Sequence, residues 1–442
     1  MTKTLHNTWS GDFVSNALNI RPKNTTQFQA FQSFLGMALR KNPKRAHLLV
    51  SNLLGKHVPQ RPSIINHAAA ELAWQIQVHH NTSPTVDSLM LQLESAHMMQ
   101  KALKSHYSSF PPLHKLSTPI TVFGYAETAT NLGALVASHL RASYIHSTRY
   151  PISEYQYYGG FEESHSHASS HHITPETIDI LDEPERIIVL VDDELTTGNT
   201  VMNTIELFES HQHHNHYYVA TLTDLRTQKA HKVFKQFAHN LGIQITVVSL
   251  LSMELNVPND SVGKAQPLLN QLKQLPEPAK AKRKTKVYRH EVTNSGYKPL
   301  SQGVQNNDFW SLFHLVDEWK QKTSVRPDEK VLVLGIEEDM FLPFLLASSL
   351  ETDGYDVNFS STTRSPVLSA DRDDYAIKDR IRYLLECDNV KRYAYNIGWD
   401  YDHIVIPVHS QIGHYSIEPL LRAFQGRTST ITVLTMTEGQ SI

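Results

Sequence analysis

The 442-residue sequence contains a single cysteine, Cys387, so no disulfide can form within the chain. No apolar run approaches the roughly 18 residues of a membrane span, and the first residues lack the apolar core of a signal peptide. Neither sign of charge dominates, since 41 Lys and Arg residues stand against 44 Asp and Glu residues. No overall field would therefore draw the molecule to nucleic acid. These absences predict a cytoplasmic, soluble protein that binds neither nucleic acid nor membrane.

The length and composition predict more than one folded unit. A chain of 442 residues is too long for one ordinary domain, and its 40% hydrophobic content can build two or three cores. The 26 histidines are mostly scattered. The cluster at 211–216 has no carboxylate or thiol among its histidines, so we interpret it as solvated surface rather than as a metal site.

A buried strand, two carboxylates and a glycine turn follow one another between Arg186 and Thr200. The run at 187–191 is apolar and β-branched, as in a central strand covered on both faces, and ligands bind at the carboxyl ends of such strands. Asp192 and Asp193 come next and can accept hydrogen bonds from sugar hydroxyls. The following turn offers backbone N–H groups, three hydroxyls and a glycine that tolerates a close phosphate. The residues of this turn are Thr196, Thr197, Gly198, Asn199 and Thr200.

A helix is predicted directly after this turn, because Val201, Ile205 and Phe208 recur at helical spacing. The turn then lies at a helix N-terminus, whose partial positive charge favours a phosphate. The combination predicts a site for ribose 5-phosphate. A generic strand–turn–helix with a capping threonine is the alternative, but capping would explain one hydroxyl and neither carboxylate.

The stretch resembles the 5-phosphoribosyl-1-diphosphate (PRPP) motif of type I phosphoribosyltransferases. The resemblance implies that Asp192 and Asp193 hold the ribose 2′- and 3′-hydroxyls and that residues 196–200 hold the 5′-phosphate. It also implies a Mg²⁺-dependent transfer of phosphoribosyl from PRPP to a nitrogen acceptor, with release of pyrophosphate. Relatives that act on oxopurines carry an aspartate at the position of Thr196, so this sequence disfavours their purine-salvage mechanism.

Further strands and helices are predicted on both sides of the motif. The strands are expected at 47–54, 119–124, 142–146, 217–223 and 243–250, and the helices at 29–39, 64–78, 88–106, after Thr130 and between the last two strands. This alternation predicts an α/β domain with a parallel sheet.

Polar loops at the ends of these strands are candidates for contact with the departing pyrophosphate. The candidate donors are Arg149, Lys56 and the backbone amides and hydroxyls of the loop from Ala126 to Thr130, which includes Glu127 and Thr128. Arg149 is favoured because its planar guanidinium can contact two phosphate oxygens at once, whereas a surface arginine at a strand end is the alternative. Lys56 and His57 lie in a basic loop after a strand, and a solvated turn is the alternative there.

A polar, histidine-rich segment at 152–174 precedes the motif strand. The resemblance places a mobile loop over the reactants there. Glu162, Glu163, His165 and His167 could exclude water and move a proton, so the last three join Arg149 as catalytic candidates. A divalent-metal site and a disordered polar loop are the alternatives for the same side chains.

The second half of the chain echoes the first. Residues 122–127 are matched by 333–338, and Ser147-Thr-Arg149 is matched by Thr362-Thr-Arg364. We therefore predict a second, degenerate α/β domain that arose by duplication, with coincidence of two common units as the alternative. It departs from the first where the acids would lie, at His409 and Ser410. The predicted boundaries are 25–255 for the first domain, 256–290 for a linker and 291–442 for the second domain.

Thr363-Arg-Ser-Pro366, together with residues 54–57 and 161–167, extends the resemblance. The chain resembles phosphoribosyltransferases with a C-terminal TRSP domain from bacterial tellurite-resistance (Ter) stress operons. The resemblance implies a fold similar to orotate phosphoribosyltransferase and a role in making a nucleoside-like metabolite. Its expected partners are PRPP, a small-molecule acceptor and other Ter-operon enzymes, with a homodimer as a candidate assembly. A non-catalytic PRPP sensor and an assembly subunit of a stress complex are the alternatives.

Overall fold

The fold is given by a computed structural model, which describes residues 8–23, 28–42, 45–81, 118–150, 159–162, 170–173, 181–183, 185–274, 283–294, 300, 303–304, 309–384, 390–398, 400–408 and 417–438. The helices are α1 (Asp12–Leu18), α2 (Phe28–Phe34), α3 (Pro62–Asn81), α4 (Thr130–Leu140), α5 (Asn199–Glu209), α6 (Gln228–Leu241), α7 (Ser261–Lys273), α8 (Phe309–Lys322), α9 (Phe341–Thr352) and α10 (Glu418–Phe424). The strands of the first half are β1 (Arg21–Pro22), β2 (Leu35–Leu39), β3 (His47–Ser51), β4 (Ile120–Gly124), β5 (Ser143–His146), β6 (Gly159–Glu162), β7 (Ser170–Ile173), β8 (Ile187–Leu195), β9 (His216–Asp224), β10 (Gln244–Ser252) and β11 (Leu255–Asn256). The strands of the second half are β12 (Lys286–Asn294), β13 (Lys330–Gly335), β14 (Asp356–Ser361), β15 (Arg380–Leu384), β16 (Lys391–Tyr395), β17 (His403–Val408) and β18 (Thr430–Glu438).

The first half contains a five-stranded parallel sheet in the order β10-β9-β8-β4-β5. Strand β8 lies at its centre, where the β-branched side chains of residues 187–191 are buried on both faces. The strand that follows β4 in the chain, β5, lies on one side of the β8–β4 pair, and the strand that follows β8, β9, lies on the other side. The carboxyl ends of β4 and β8 therefore border a topological switch point, the usual place for a ligand in an open α/β sheet.

The second half contains another five-stranded parallel sheet, in the order β12-β18-β17-β13-β14. Strands β13, β14, β17 and β18 repeat the spatial order of β4, β5, β8 and β9. The fifth position is filled by β12, which precedes the other four in the chain. This shared order confirms the predicted second α/β domain of similar type.

The two halves share one hydrophobic core. Helices α4 and α9, which follow the equivalent strands β4 and β13, pack against each other. A single cluster of buried side chains joins Leu135 and Val189 of the first half to Val333 and Leu346 of the second. The opposite face of each sheet has a separate cluster, which contains Phe208 in the first half.

A hairpin of β2 and β3 contacts the first sheet through the ion pair of Arg45 with Glu194 and also contacts the second half. Its strands pair antiparallel. The carbonyl of Met37 accepts a hydrogen bond from the amide of Ala376, and the carbonyl of Leu39 accepts one from the amide of Leu368. The hairpin is thus held between the two halves.

The structure differs from the sequence-based prediction in two segments. The helix predicted at 29–39 ends at Phe34, and Leu35–Leu39 form β2, because pairing with β3 buries every residue of that stretch. The predicted linker at 256–290 contains α7, which buries Ala265, Leu269 and Leu272. Strand β12 already begins at Lys286.

Most of the other predicted segments agree with the structure, including the helix at 64–78, which lies within α3. The helix predicted at 88–106 lies outside the described residues. Among the helices that the structure describes, none is long and apolar enough to cross a membrane.

Candidate functional site

A cleft of about 430 Å³ lies at the carboxyl ends of β4 and β8. Predicted site residues line one side of it, namely Lys56, Ala126, Glu127, Thr128, Arg149, Asp192, Asp193, Thr196 and Thr200. The hairpin and the second half complete the cleft, with Arg40, Arg45 and the tetrapeptide Thr363–Pro366 among the lining residues. The site is therefore built from both halves of the chain.

The paired acids lie within β8, since this strand continues to Leu195. Both carboxylates are half-buried, and the amide of Asp193 donates to Oδ1 of Asp192 over 2.9 Å. Burial and the neighbouring Glu194 raise the pKa of Asp193, while Lys56 opposes the rise. The two acids are thus held side by side and face the cleft, where they can accept hydrogen bonds from a diol.

The threonine turn leads directly into α5. Gly198 is the N-cap residue, with φ of +81°, and a Cβ at that position would lie 2.8 Å from the ring of Phe234. Only glycine fits this conformation and this space without strain. Because Gly198 has no side chain to cap the helix, the first amide groups of α5 face the turn, with Oγ1 of Thr197 accepting from the amide of Asn199 over 3.3 Å. The turn has the form of an anion site at a helix N-terminus.

The loop after β4 is anchored against both neighbouring strands. The amide of Tyr125 donates to the carbonyl of Val191 over 3.1 Å, and the amide of Ala126 donates to Oγ of Ser147 over 3.0 Å. The Ala126–Glu127 peptide is cis. These contacts bring the loop beside the acids and beside the end of β5.

Lys56 and Glu127 form a buried ion pair at the base of the cleft. Their charged atoms lie 3.1 Å apart, and each side chain is 3% exposed. Lys56 also donates to Oγ1 of Thr128 over 2.9 Å. Burial alone would raise the pKa of Glu127, but Lys56 and Arg149 outweigh burial and hold the pKa below its ordinary value. Glu127 is therefore ionised at neutral pH, and it neutralises part of the local positive charge.

Two reciprocal sets of contacts join the halves at this cleft. Glu338 of the second half accepts from Oγ1 of Thr148 and from the amide of Arg149, both over 2.6 Å. Glu127, which matches Glu338 in the sequence echo, accepts from the hydroxyl of Thr363 and from the amide of Arg364 over 3.4 Å. Thr363 and Arg364 match Thr148 and Arg149, so each half holds the other by equivalent residues.

The edges of the two sheets show the same reciprocity. Tyr144 in β5 forms an antiparallel bridge with Val304, which precedes α8. Phe359, its equivalent in β14, forms a bridge with Gln60, which precedes α3. Self-complementary contacts of this kind are typical of a two-fold interface between identical subunits. Here they lie within one chain.

Arg364 of the tetrapeptide belongs to a further group of buried charged side chains. Nε of Arg364 lies 2.5 Å from one carboxylate oxygen of Glu337, and Arg392 pairs with the other. The position of Arg364 in the cleft is thus fixed by its partner Glu337.

Glu338, the next residue, is also buried. Burial raises the pKa of Glu338 to about 7, and hydrogen bonds from Thr148 and Arg149 limit the rise.

The structure brings together most of the predicted residues that it describes. Arg149, Lys56, the loop after β4, the acid pair, Thr196 and Thr200 line the cleft, whereas Thr197, Gly198 and Asn199 of the same turn are not among the lining residues. Glu163, His165 and His167 lie outside the described residues, as do His409 and Ser410.

The predicted set lacks four charged lining residues, namely Arg40, Arg45, Glu194 and Arg364. Arg364 could have been found from its match to Arg149. The other three carry no motif of their own, and long-range packing places them at the cleft.

Comparison with known proteins identifies a family whose models match this sequence. A family model described as phosphoribosyl transferase matches residues 34–254, and a second, described as the TRSP domain C-terminal to it, matches residues 302–424. No curated protein matches the sequence. Adenine phosphoribosyl transferase from Trypanosoma brucei, solved with AMP, pyrophosphate and ribose 5-phosphate, is similar at 13% identity and a TM-score of 0.33, with 55% of this chain and 83% of that chain covered. Adenine phosphoribosyltransferase from Rhodothermus marinus is similar at 16% identity and a TM-score of 0.30, with 52% of this chain and 99% of that chain covered.

Proposed function

Because the chain belongs to the phosphoribosyl transferase family, we propose that it transfers 5-phosphoribosyl from PRPP to a nitrogen acceptor and releases pyrophosphate. The observation that carries this proposal is the meeting of the half-buried acid pair and the Gly198 turn in one cleft. The acids supply acceptors for a diol, and the turn supplies donors for a phosphate.

The remaining lining residues suit the leaving group. In the transfer, the bond from ribose C1 to the pyrophosphate oxygen breaks while the acceptor nitrogen forms the new bond to C1, and negative charge grows on the departing pyrophosphate. Preset cations stabilise such charge more effectively than water does. We assign this role to Lys56 and Arg149, with the amides of Glu127 and Thr128 and the hydroxyl of Thr128 as further donors.

The donor set fits a Mg²⁺ ion that arrives with PRPP. Mg²⁺ usually takes one or two carboxylates together with substrate phosphates, and Asp192 and Asp193 offer hard carboxylate oxygens at the cleft. Among the described residues, no group of three or more His, Cys, Asp or Glu side chains forms a separate metal cage. When bound, the ion would act as a Lewis acid that offsets charge on the pyrophosphate.

The second half contributes Arg364 to the same cleft. Its guanidinium is held by Glu337, and its amide contacts Glu127. We assign Arg364 to the pyrophosphate together with Arg149, its equivalent in the first half. On this assignment the second half takes the place of a second subunit, and one chain forms a complete site.

The variant Arg364→Met tests that assignment. We expect the rate of transfer to fall by a factor of about 10² or more, because one preset charge at the leaving group is lost, whereas PRPP still binds. Arg326→Met removes an arginine whose side chain is 69% exposed and serves as the control, with an unchanged rate. Equal rates for wild type and Arg364→Met would remove Arg364 from the reaction.

Turnover separates an enzyme from a PRPP sensor. The protein is incubated with PRPP, Mg²⁺ and a small-molecule extract of cells, and pyrophosphate release is followed with time. The proposal expects release that depends on the extract and is lost in the double variant Asp192→Asn, Asp193→Asn. Binding of PRPP without any acceptor-dependent release would instead support the sensor.

Two further roles rest on the family resemblance. We propose that Glu163, His165 and His167 close over the reactants and that His165 or His167 moves the proton released by the acceptor nitrogen. We also propose a place in a stress-response pathway that makes a nucleoside-like metabolite. Single alanine variants at these three positions, assayed for the same pyrophosphate release, test the first role.

A further inference from the structure

The segment that forms the hairpin side of the cleft contains no acidic residue. Between Asp12 and Glu71 there is no aspartate or glutamate, although the whole chain has 44 such residues in 442. The same segment contains eight lysines and arginines. A stretch of this length with charge of one sign only creates a local positive field, even though the whole chain is close to neutral.

Part of this segment lines the cleft directly. Arg40 directly follows β2, Arg45 precedes β3, and both residues line the cleft. Both come from the hairpin, a part of the cleft that is not assigned to PRPP. We call the lining residues from this segment between Arg40 and Leu54 the hairpin wall.

Two carboxylates of β8 interact with Arg45 of the hairpin wall, Glu194 directly and Asp193 through its charge. Glu194, which directly follows Asp193 in β8, lies 2.5 Å from a guanidinium nitrogen of Arg45, and these two side chains are 15% and 17% exposed. Nε of Arg45 also donates to Nε2 of His47 over 3.2 Å. Arg45 is thus oriented next to the proposed ribose acids. Counted over the whole cleft, five lysine and arginine residues stand against four aspartate and glutamate residues, so positive charge is in slight excess.

The two histidines near the wall add no charge to it. Burial lowers the pKa of His47 to about 3, and Arg45 and Arg40 lower it further. Burial likewise lowers the pKa of His57 to about 3, with Lys56 and Arg40 among the other causes. Both imidazoles are therefore neutral at neutral pH, and the positive charge of the wall comes from the guanidinium groups.

Most of the other residues of the wall are aliphatic. Leu48, Leu49 and Leu54 line the same cleft, and Leu49 and Leu54 are almost fully buried. Branched aliphatic side chains give a surface on which the face of a planar ring packs, and guanidinium groups take a carboxylate in a bidentate arrangement. The wall combines both elements.

We propose that the acceptor is a planar ring that carries a carboxylate, with the ring on the leucines and the carboxylate held by Arg40 and Arg45. This inference rests on the proposed transfer from PRPP and specifies its second substrate. It assigns the hairpin wall to recognition of the acceptor and leaves the phosphates of PRPP to the threonine turn and to Lys56, Arg149 and Arg364.

Binding to matched pairs of rings tests the proposal. PRPP binding is first measured by calorimetry in Mg²⁺. Orotate against uracil, nicotinate against nicotinamide and anthranilate against aniline are then titrated into protein saturated with Mg²⁺ and PRPP. We expect the carboxylated member of at least one pair to bind about tenfold or more tightly than its neutral partner, as a charge-assisted hydrogen bond allows.

The variants Arg40→Gln and Arg45→Gln are expected to reduce that preference to about threefold or less. Two variants are used because the loss of Arg45 unpairs Glu194. Lys41→Gln, which removes an exposed cation next to Arg40, should leave the preference unchanged.

The outcomes separate this inference from the function on which it rests. If PRPP binds but no carboxylated ring is preferred, the acceptor class is wrong while the transfer proposal stands. If the preference survives in both arginine variants, the assignment to the hairpin wall is wrong. If PRPP itself does not bind, the proposed function fails, and the inference fails with it.

Discussion

Glu338 gives the most direct test of how the two halves are joined. The residue is 6% exposed, and its carboxyl group accepts hydrogen bonds from Thr148 and Arg149 of the first half. Burial raises its pKa from 4.5 to about 7. At about 1.36 kcal/mol per pKa unit, this difference corresponds to about 3 kcal/mol of linkage between protonation and folding.

The direction of the pH effect follows from the raised pKa. Below pH 4.5 the carboxyl group is protonated in both the folded and the unfolded chain, so its contribution to stability is fully present. As the pH rises towards 7, the unfolded chain loses this proton first, and the contribution is lost as the pH passes through the folded pKa. Glu338→Gln cannot ionise, so the variant should gain about 3 kcal/mol relative to wild type between pH 4 and pH 8.

The assay is urea unfolding followed by tryptophan fluorescence at a series of pH values, since Trp9 and Trp319 are buried. The measured quantity is the difference in the free energy of unfolding between wild type and Glu338→Gln. Glu318→Gln removes an exposed carboxylate that pairs with Lys322 and controls for the loss of one charge, with a difference that changes by less than about 1 kcal/mol. Parallel stability curves for wild type and Glu338→Gln would refute the assignment of a buried, proton-binding contact between the halves.

Two further predictions concern the ion pair at the base of the cleft and the threonine turn. Lys56→Met should destabilise the fold by about 3–5 kcal/mol, because it leaves the buried Glu127 carboxylate without its paired cation. Lys56→Met combined with Glu127→Gln should recover most of the loss; urea unfolding of these two variants and of Glu127→Gln alone checks this, and additive losses would contradict it. Gly198→Ala should cost about 2 kcal/mol or more and abolish PRPP binding, since it adds a clash with Phe234 to the strain of a positive φ. Gly242→Ala, which has a positive φ and open space for a Cβ, should cost only about 1 kcal/mol and leave binding intact, as calorimetry with PRPP would show.

The central motif was predictable because its signals are local. An apolar β-branched run, two acids, a threonine–glycine turn and a helical period occur in order along one short stretch, and each requires only its neighbours for interpretation. The prediction differs at the end of the strand. Residues 192–195 continue β8 because they pair with β9 as far as Asp224, and this pairing depends on a strand that lies elsewhere in the chain.

The hairpin and the second half's contribution to the site depend on packing over long distances. Leu35–Leu39 follow a helix without a break and become a strand only because β3 lies beside them. Arg364 lies more than two hundred residues from Arg149, and contacts between the halves bring both to one cleft. The sequence echo contained this information, since Glu338 matches Glu127 and Arg364 matches Arg149, but the echo alone does not show that the halves face each other.

The central claim is that the cleft at the ends of β4 and β8 binds PRPP through the acid pair. Calorimetry with PRPP and Mg²⁺ on wild type and on the double variant Asp192→Asn, Asp193→Asn tests it most directly, with urea unfolding as the check that the variant is folded. We expect wild type to bind and the folded double variant to lose about 100-fold or more in affinity, because several hydrogen bonds to charged acceptors are weakened together. Equal affinity of the two proteins for PRPP would contradict the claim.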